Sequence, residues 1–247
     1  MKALLKAELI KLRTTRTFIA LTAFAVGTSL LIVTLVTLLE EPTEESVLTD
    51  VFTADTSGLF ILILAVIGIT GEWRHHTITS SLLASPDRIR FLAAKTIAFA
   101  AAGLLLSLLI SLTIGIVGLV ILSARDLPTP GIGDLLAQFA RNGMVAAMQA
   151  AFGVGIGALV RNQVVAIVGL LVLSFIVEPL IISLVPDVGR YGPFVALPTA
   201  AASIPPENTG IPDVDLPAAG VAVVLLLAWI GAAFAAGGAL LRARDLE

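Results

Sequence analysis

The 247-residue sequence predicts an all-α membrane protein, and three observations carry that prediction. Hydrophobic residues make up 57% of the chain and charged residues only 13%, about half the share usual in a soluble domain, and mean hydropathy is +1.03. Apolar residues gather into six blocks of about 20 or more, the length a helix needs to cross the ~30 Å hydrocarbon layer. Within those blocks Leu, Ile, Val and Ala run continuously, without the polar alternation of barrel strands. Cysteine is absent, which excludes disulfides and thiolate metal sites.

In chain order, residues 1–16 place Lys2, Lys6 and Arg13 on one helical stripe and Leu5, Leu9 and Leu12 on the adjacent one. That pattern predicts a helix lying on the membrane surface, with Glu8 and Lys11 as a supporting i,i+3 pair, or else a basic leader that only fixes orientation. The spans follow at 18–39, 51–70, 97–122, 135–160, 164–185 and 218–241, in a single transmembrane domain of residues 1–247. Five cations precede the first span and no small-residue cleavage site follows it, so a signal peptide is a poor reading.

Orientation comes from Lys and Arg, which concentrate in cytoplasmic loops. With the N-terminus inside, 12 of the 15 lie inside, and only Arg125, Arg141 and Arg190 lie outside. Both termini are then cytoplasmic. Acids gather in the outer loops, at Glu40, Glu41, Glu44, Glu45 and Asp50, and again at Asp187, Glu207, Asp213 and Asp215.

On that topology residues 71–90, GEWRHHTITSSLLASPDRIR, form the first and longest cytoplasmic loop. Trp73 suits the headgroup level, and residues 77–84 allow a short helix with Ile78 and Leu82 on one side. Ser85, Pro86 and Asp87 read as a helix start, with Ser85 as N-cap and Asp87 complementing the dipole. A plain connection needs only about four to six residues, so this loop is structured enough to dock something.

That loop, the leading MKALLKAELIKLRTTR and the six-helix plan together resemble the permease subunits of ABC transporters of the type-2 membrane family, of the type V, drug-efflux-like kind. The resemblance covers the chain, with specific matches in the loop and the N-terminal segment. It implies that residues 71–90 are a coupling helix entering a cleft of the ATPase, with Glu72, Trp73, Arg74, Thr77, Ile78, Leu82 and Leu83 as coupling residues. It further implies a connecting helix at 1–16 and short re-entrant helices within 186–217. The implied partners are two ATPase subunits, a second copy or homologous permease, and membrane lipids, with no nucleic acid, in a bacterial cell membrane. The chain has no Gly-Lys dipeptide and hence no P-loop, so it is not itself an enzyme; ATP and Mg would sit on the partner, with no cofactor here.

His75 and His76 are the only histidines; adjacent helical residues point about 100° apart, so a metal site there is disfavoured. Glu72 stands among Arg74, Arg88 and Arg90, which suggests an ion pair shaping the loop, or else a solvated carboxylate. Gly103, Ser107, Ser111 and Gly115 recur every four residues and predict close helix packing, within the subunit or across a dimer. Gln138, Asn142 and Gln149 form a polar stripe, read either as the lining of a substrate path or as interhelical hydrogen bonding, with Gly153 and Gly157 continuing a tightly packed half.

Glu178, before Pro179, is read as the most deeply placed acid, in a helix the proline should kink. Counted from Arg161, Glu178 and Arg141 lie about 25 and 30 Å along neighbouring antiparallel helices, which predicts a salt bridge between them or separate snorkelling. Three function classes remain: the favoured one, a dimeric permease of an ATP-driven exporter; an ion-coupled secondary transporter, which usually needs buried acids near the midplane, where this sequence shows almost none; and an intramembrane enzyme, for which nucleophile and metal motifs are lacking.

Overall fold

The computed structural model describes residues 2–75, 77–79, 83, 87–160, 162–206 and 214–243, and among them there are helices and no strands. The helix α1 (Lys2–Thr14) stops where the hydroxyls of Thr14 and Thr15 donate back to the carbonyls of Ile10 and Lys11 and Thr15 turns extended. The first long helix, α2 (Arg16–Leu39), leads to a short α3 (Val47–Val51). Then come α4 (Ser57–Arg74), α5 (Arg88–Ala124), α6 (Ile132–Leu159) and α7 (Gln163–Leu184). Two short helices, α8 (Pro186–Gly189) and α9 (Ala196–Ala201), precede α10 (Ala219–Ala243). Six of these, α2, α4, α5, α6, α7 and α10, are long and apolar enough to cross a membrane.

The second span differs from its expected 51–70. Val51 and Phe52 are fully buried at the end of α3, the chain is non-helical through Thr56, and α4 runs on through Glu72 to Arg74. Asp55 accounts for the break, since its carboxylate accepts the backbone N–H of Ser57 (2.8 Å) and so caps the helix that follows.

At the centre stands α6, whose most apolar stretch is 72% buried against 17% for α2 and for α10. Small residues explain it. A Cβ at Gly103 of α5 would come within 2.7 Å of the Ala146 carbonyl oxygen, and one at Gly153 of α6 within 2.7 Å of the Leu62 carbonyl oxygen. These backbones touch because nothing stands between them, the packing that replaces hydrophobic drive in lipid. The four-residue repeat on α5 is thus an intrasubunit contact with α6, with Gly115 facing Phe139.

Two arginines at opposite ends of α5 tie it to other helices. Arg88 donates to the carbonyls of Leu241 (2.5 Å) and Arg242 (3.1 Å), and Arg125 to those of Thr37 (2.5 Å) and Glu40 (3.1 Å). Each satisfies carbonyls that a helix C-terminus leaves without partners and places a cation at its negative end. The outer two spans, α10 and α2, are therefore held by their ends.

Although only three residues separate α6 from α7, whose N-cap is Asn162, α7 packs more on α4 than on α6. Ahead of Glu178 and Pro179 it widens into a π-helical stretch, Leu173–Val177, the local adjustment made where proline supplies no N–H.

Candidate functional site

At one end of the bundle, its basic end, α1, the last turn of α4 and the start of α5 meet. There four charges lock together. The Lys95 side chain is 1% exposed, with its Nζ 2.6 Å from Glu8 Oε2, 2.9 Å from Glu72 Oε1 and 3.2 Å from the Gly68 carbonyl oxygen. Lys11 closes the ring from the solvent side, 2.8 Å from Glu8 and 3.0 Å from Glu72. The rings of Phe91 and Phe99 flank Lys95 at 5.4 and 5.9 Å. Burial by itself would raise the Glu8 carboxyl, but Lys95 and Lys11 hold it below its ordinary range. For Lys11 burial works against the charge, and Glu8 and Glu72 overcome it and hold the amine above its ordinary range.

The expected partners of Glu72 were the arginines of its own loop; the geometry gives it Lys11 and Lys95 instead, while Arg74 turns to Gln163 Oε1 (3.4 Å). Helix α1 explains the change, because it brings Glu8 and Lys11 over the foot of α4 and leaves Glu72 inside a buried cluster. A cavity of about 680 Å³ adjoins that cluster, bounded by Glu8, Lys11, Glu72, His75, Thr77 and Lys95.

Of the loop residues singled out, Trp73 packs with Ile78, Phe91 and Leu241, and Ile78 is 4% exposed. Ile78 is therefore part of the protein's own core and not an outward anchor. Leu83 is 78% exposed. Thr77 folds back through its backbone N–H to the Glu72 carbonyl (2.9 Å). The N-cap of α5 is Asp87, whose carboxylate accepts from the N–H groups of Ile89 and Arg90, in place of the expected Ser85. His76, Ser80, Ser81, Leu82, Ala84, Ser85, Pro86, Arg161, Glu207, Asp213 and Arg244 lie outside the described residues, and with them half of the short helix expected over 77–84.

The polar stripe of α6 is used for tertiary hydrogen bonds. Gln138 donates to Asn142 Oδ1 (2.9 Å) and the Ala202 carbonyl (3.1 Å), Asn142 donates to the Phe52 carbonyl (3.2 Å) and Ser111 Oγ (3.3 Å), and Gln149 donates to the carbonyls of Pro193 and Phe194. Ser107 and Ser111 do more than pack: both donate to Asp55 Oδ2, at 2.5 and 2.9 Å. Their place on α5 sets Asp55 about 18–24 Å beyond Lys95 at 1.5 Å per residue, level with the middle of the apolar run of α5. Glu178 is thus not alone as a deep acid. An Asp inside an apolar run, two residues before a helix start, was the signal available for it.

The expected Arg141–Glu178 pair is not formed. Arg141 donates to Gln138 Oε1 (3.2 Å), and Glu178, 5% exposed, accepts the backbone N–H groups of Phe194 (2.9 Å), Val195 (2.8 Å) and Ala196 (2.8 Å). The returning chain ahead of α9 brings three free N–H groups to the carboxylate, and together they satisfy it without a cation. Gly192 makes this possible, as a Cβ there would run into the Glu178 carboxyl. All six residues of α9 are buried.

Six long apolar helices, the glycine-rich α6 at their centre being one of them, make this by length and composition a multi-pass helical membrane protein. No family model matches the chain, and no curated protein matches it.

Proposed function

We propose that this chain is the permease subunit of an ATP-driven exporter of the ABC type-2 kind, working beside a second permease copy and two ATPase subunits that dock on residues 71–90. The observation that carries this reading is the Glu8–Lys11–Glu72–Lys95 cluster. It joins α1, α4 and α5 at both roots of that loop, so a push on the loop moves two candidate spans and the N-terminal helix as one body. On this reading the basic end is cytoplasmic, α1 is the interfacial connecting helix, and the buried α9 is a re-entrant helix of the outer loop.

The docking face is narrower than the sequence suggested, since Ile78 is turned inward and Leu83 outward. Leu83→Asp, with Leu82→Asp beside it, should leave the folded chain intact and abolish co-purification of a span-free P-loop ATPase encoded in the neighbouring reading frame. Val47→Asp, a disruptive change at the opposite end, should lower the yield of folded chain without selective loss of the ATPase. Undiminished recovery and ATPase stimulation with the Leu82 and Leu83 variants would overturn the reading.

A second reading, an ion-coupled secondary transporter, is favoured by Asp55, a carboxylate at membrane depth without an ion pair among the described residues. Uptake into proteoliposomes containing this chain alone, driven by an ion gradient and lost in Asp55→Asn, would decide for it.

A further inference from the structure

Between the start of α4, the middle of α6 and α9 lies a second cavity, of about 380 Å³. Among the described residues that line it, Asp55 is the one ionisable group. Three donors position its carboxylate: the Ser57 N–H on Oδ1 (2.8 Å), and Ser107 and Ser111 on Oδ2 (2.5 and 2.9 Å). All three are neutral. They orient the anion and leave its charge uncompensated, a condition that costs several kcal/mol at depth unless a cation or proton arrives.

Gln149, on the α6 wall of the same cavity, is a second, independent feature. Gln149 is 4% exposed, and its amide nitrogen donates to the carbonyls of Pro193 (3.4 Å) and Phe194 (3.3 Å). Those two acceptors fix the amide's orientation, because a flip would press its oxygen against both carbonyl oxygens. Gln149 Oε1 is thereby committed to the other side, buried and without a partner among the described residues. A buried acceptor left unpaired is a cost the fold bears, of about 1–3 kcal/mol. Asn142, on the same wall, has its amide engaged on both atoms.

We propose that this cavity is a binding site for a small organic ammonium ion, whose N–H groups bridge Asp55 and Gln149 Oε1 while its alkyl part lies against Leu62, Val195 and Phe194. Charge, N–H donation and size each point there. An anion meets only a carboxylate and an amide oxygen. A neutral alcohol leaves the Asp55 charge unanswered. Hard metal cations gather about six to eight oxygens at close range, and no group of three His, Cys, Asp or Glu that could hold one occurs among the described residues. The site lies within one subunit, so the proposal goes beyond the exporter reading and stands whether transport is driven by ATP or by an ion gradient.

Calorimetry on the full chain in lipid nanodiscs, with empty nanodiscs as blank, tests this using four probes: n-propylammonium, tetramethylammonium, sodium and 1-propanol. Propylammonium should bind saturably at one per chain. Tetramethylammonium, which keeps the charge and lacks N–H, and the other two should bind at least about tenfold more weakly. Asp55→Asn should reduce propylammonium affinity about tenfold or more, and Gln149→Met several-fold. If Asp55→Asn does not elute as folded chain, Gln149→Met decides. Absence of saturable heat with propylammonium, which leaves the cavity to water, overturns the proposal. So do equal binding of tetramethylammonium or sodium, and unchanged affinity in the deciding variant.

Discussion

The inward-turned carboxylates of this protein are held on two opposite plans. At the basic end Glu8 and Glu72 meet Lys11 and Lys95, two acids against two bases, each lysine bonded to both acids. At membrane depth Asp55 meets two serine hydroxyls and a backbone N–H, and Glu178 meets three backbone N–H groups. The first plan balances charge and the second balances only hydrogen bonds. Paired charges can be broken only at the cost of exposing a partner, which makes the basic end a fixed joint. A carboxylate held by neutral donors can exchange its remaining interactions, which makes the deeper sites open to ligands or to chain segments.

The contrast can be broken most severely at Lys95. Lys95→Met leaves Glu8 and Glu72 buried with only half-exposed Lys11 for compensation, and should cost about 3–5 kcal/mol, read as a large fall in the unfolding midpoint in detergent. Lys95→Met combined with Glu8→Gln should recover part of that loss; no recovery would mean that packing of the lysine stem, and not charge, holds the joint.

Glu178→Gln should act less strongly, about 1–3 kcal/mol, because one of the two carboxylate oxygens that receive N–H groups becomes a donor. Protease protection of the segment around α9 should fall with it. Exchanging charges between Arg141 and Glu178 should restore nothing, since Arg141 serves Gln138.

The pH dependence of the joint should be smaller still and two-sided. The Glu8 carboxyl is held below its ordinary 4.5, so its contribution is full above that value and is lost as pH falls through the lower folded value. The Lys11 amine is held above its ordinary 10.5, so its contribution is full below that value and is lost as pH rises through the higher folded one. The unfolding midpoint should be flat between these limits, and Glu8→Gln should flatten the acid limb and, because Glu8 also helps hold the Lys11 proton, weaken the alkaline one, leaving there the part that Glu72 supplies.

The smallest stability effect is expected at Asp55. Asp55→Asn keeps the shape and removes an unpaired charge; its oxygen can stay on the Ser57 N–H while the Ser107 and Ser111 hydroxyls turn to accept from the new amide, so stability should change by less than about 1 kcal/mol or improve. A loss as large as that of Lys95→Met would show that Asp55 is a structural partner like the glutamates, and would erase the distinction drawn between the two clusters.

Much of the architecture was legible because membrane crossing is a local demand: about 20 apolar residues must satisfy their backbone within one helix, and the spans at 18–39, 97–122, 135–160, 164–185 and 218–241 meet helices that begin and end within a few residues of them, α5 alone extending further at its start. The break at Asp55 was hidden because an Asp, a Thr and a Ser barely interrupt a hydropathy window. The i,i+3 pair of Glu8 and Lys11 was also legible, being set by helical spacing alone.

What the sequence by itself determined is therefore the number of candidate spans, their approximate limits, and the places where small residues let backbones approach. The partners of each polar group came only with the tertiary structure. Lys95 and Glu8 are 87 positions apart, Ser111 and Asp55 56, and Gln138 and Ala202 64, and no local pattern reports such meetings. Depth along a helix was calculable for Arg141 and Glu178, but direction around it was not. The physical reason is that a buried polar group is satisfied by whichever donor the packed helices bring within about 3 Å, and which helix faces which is settled by the fit of side chains across all the spans at once.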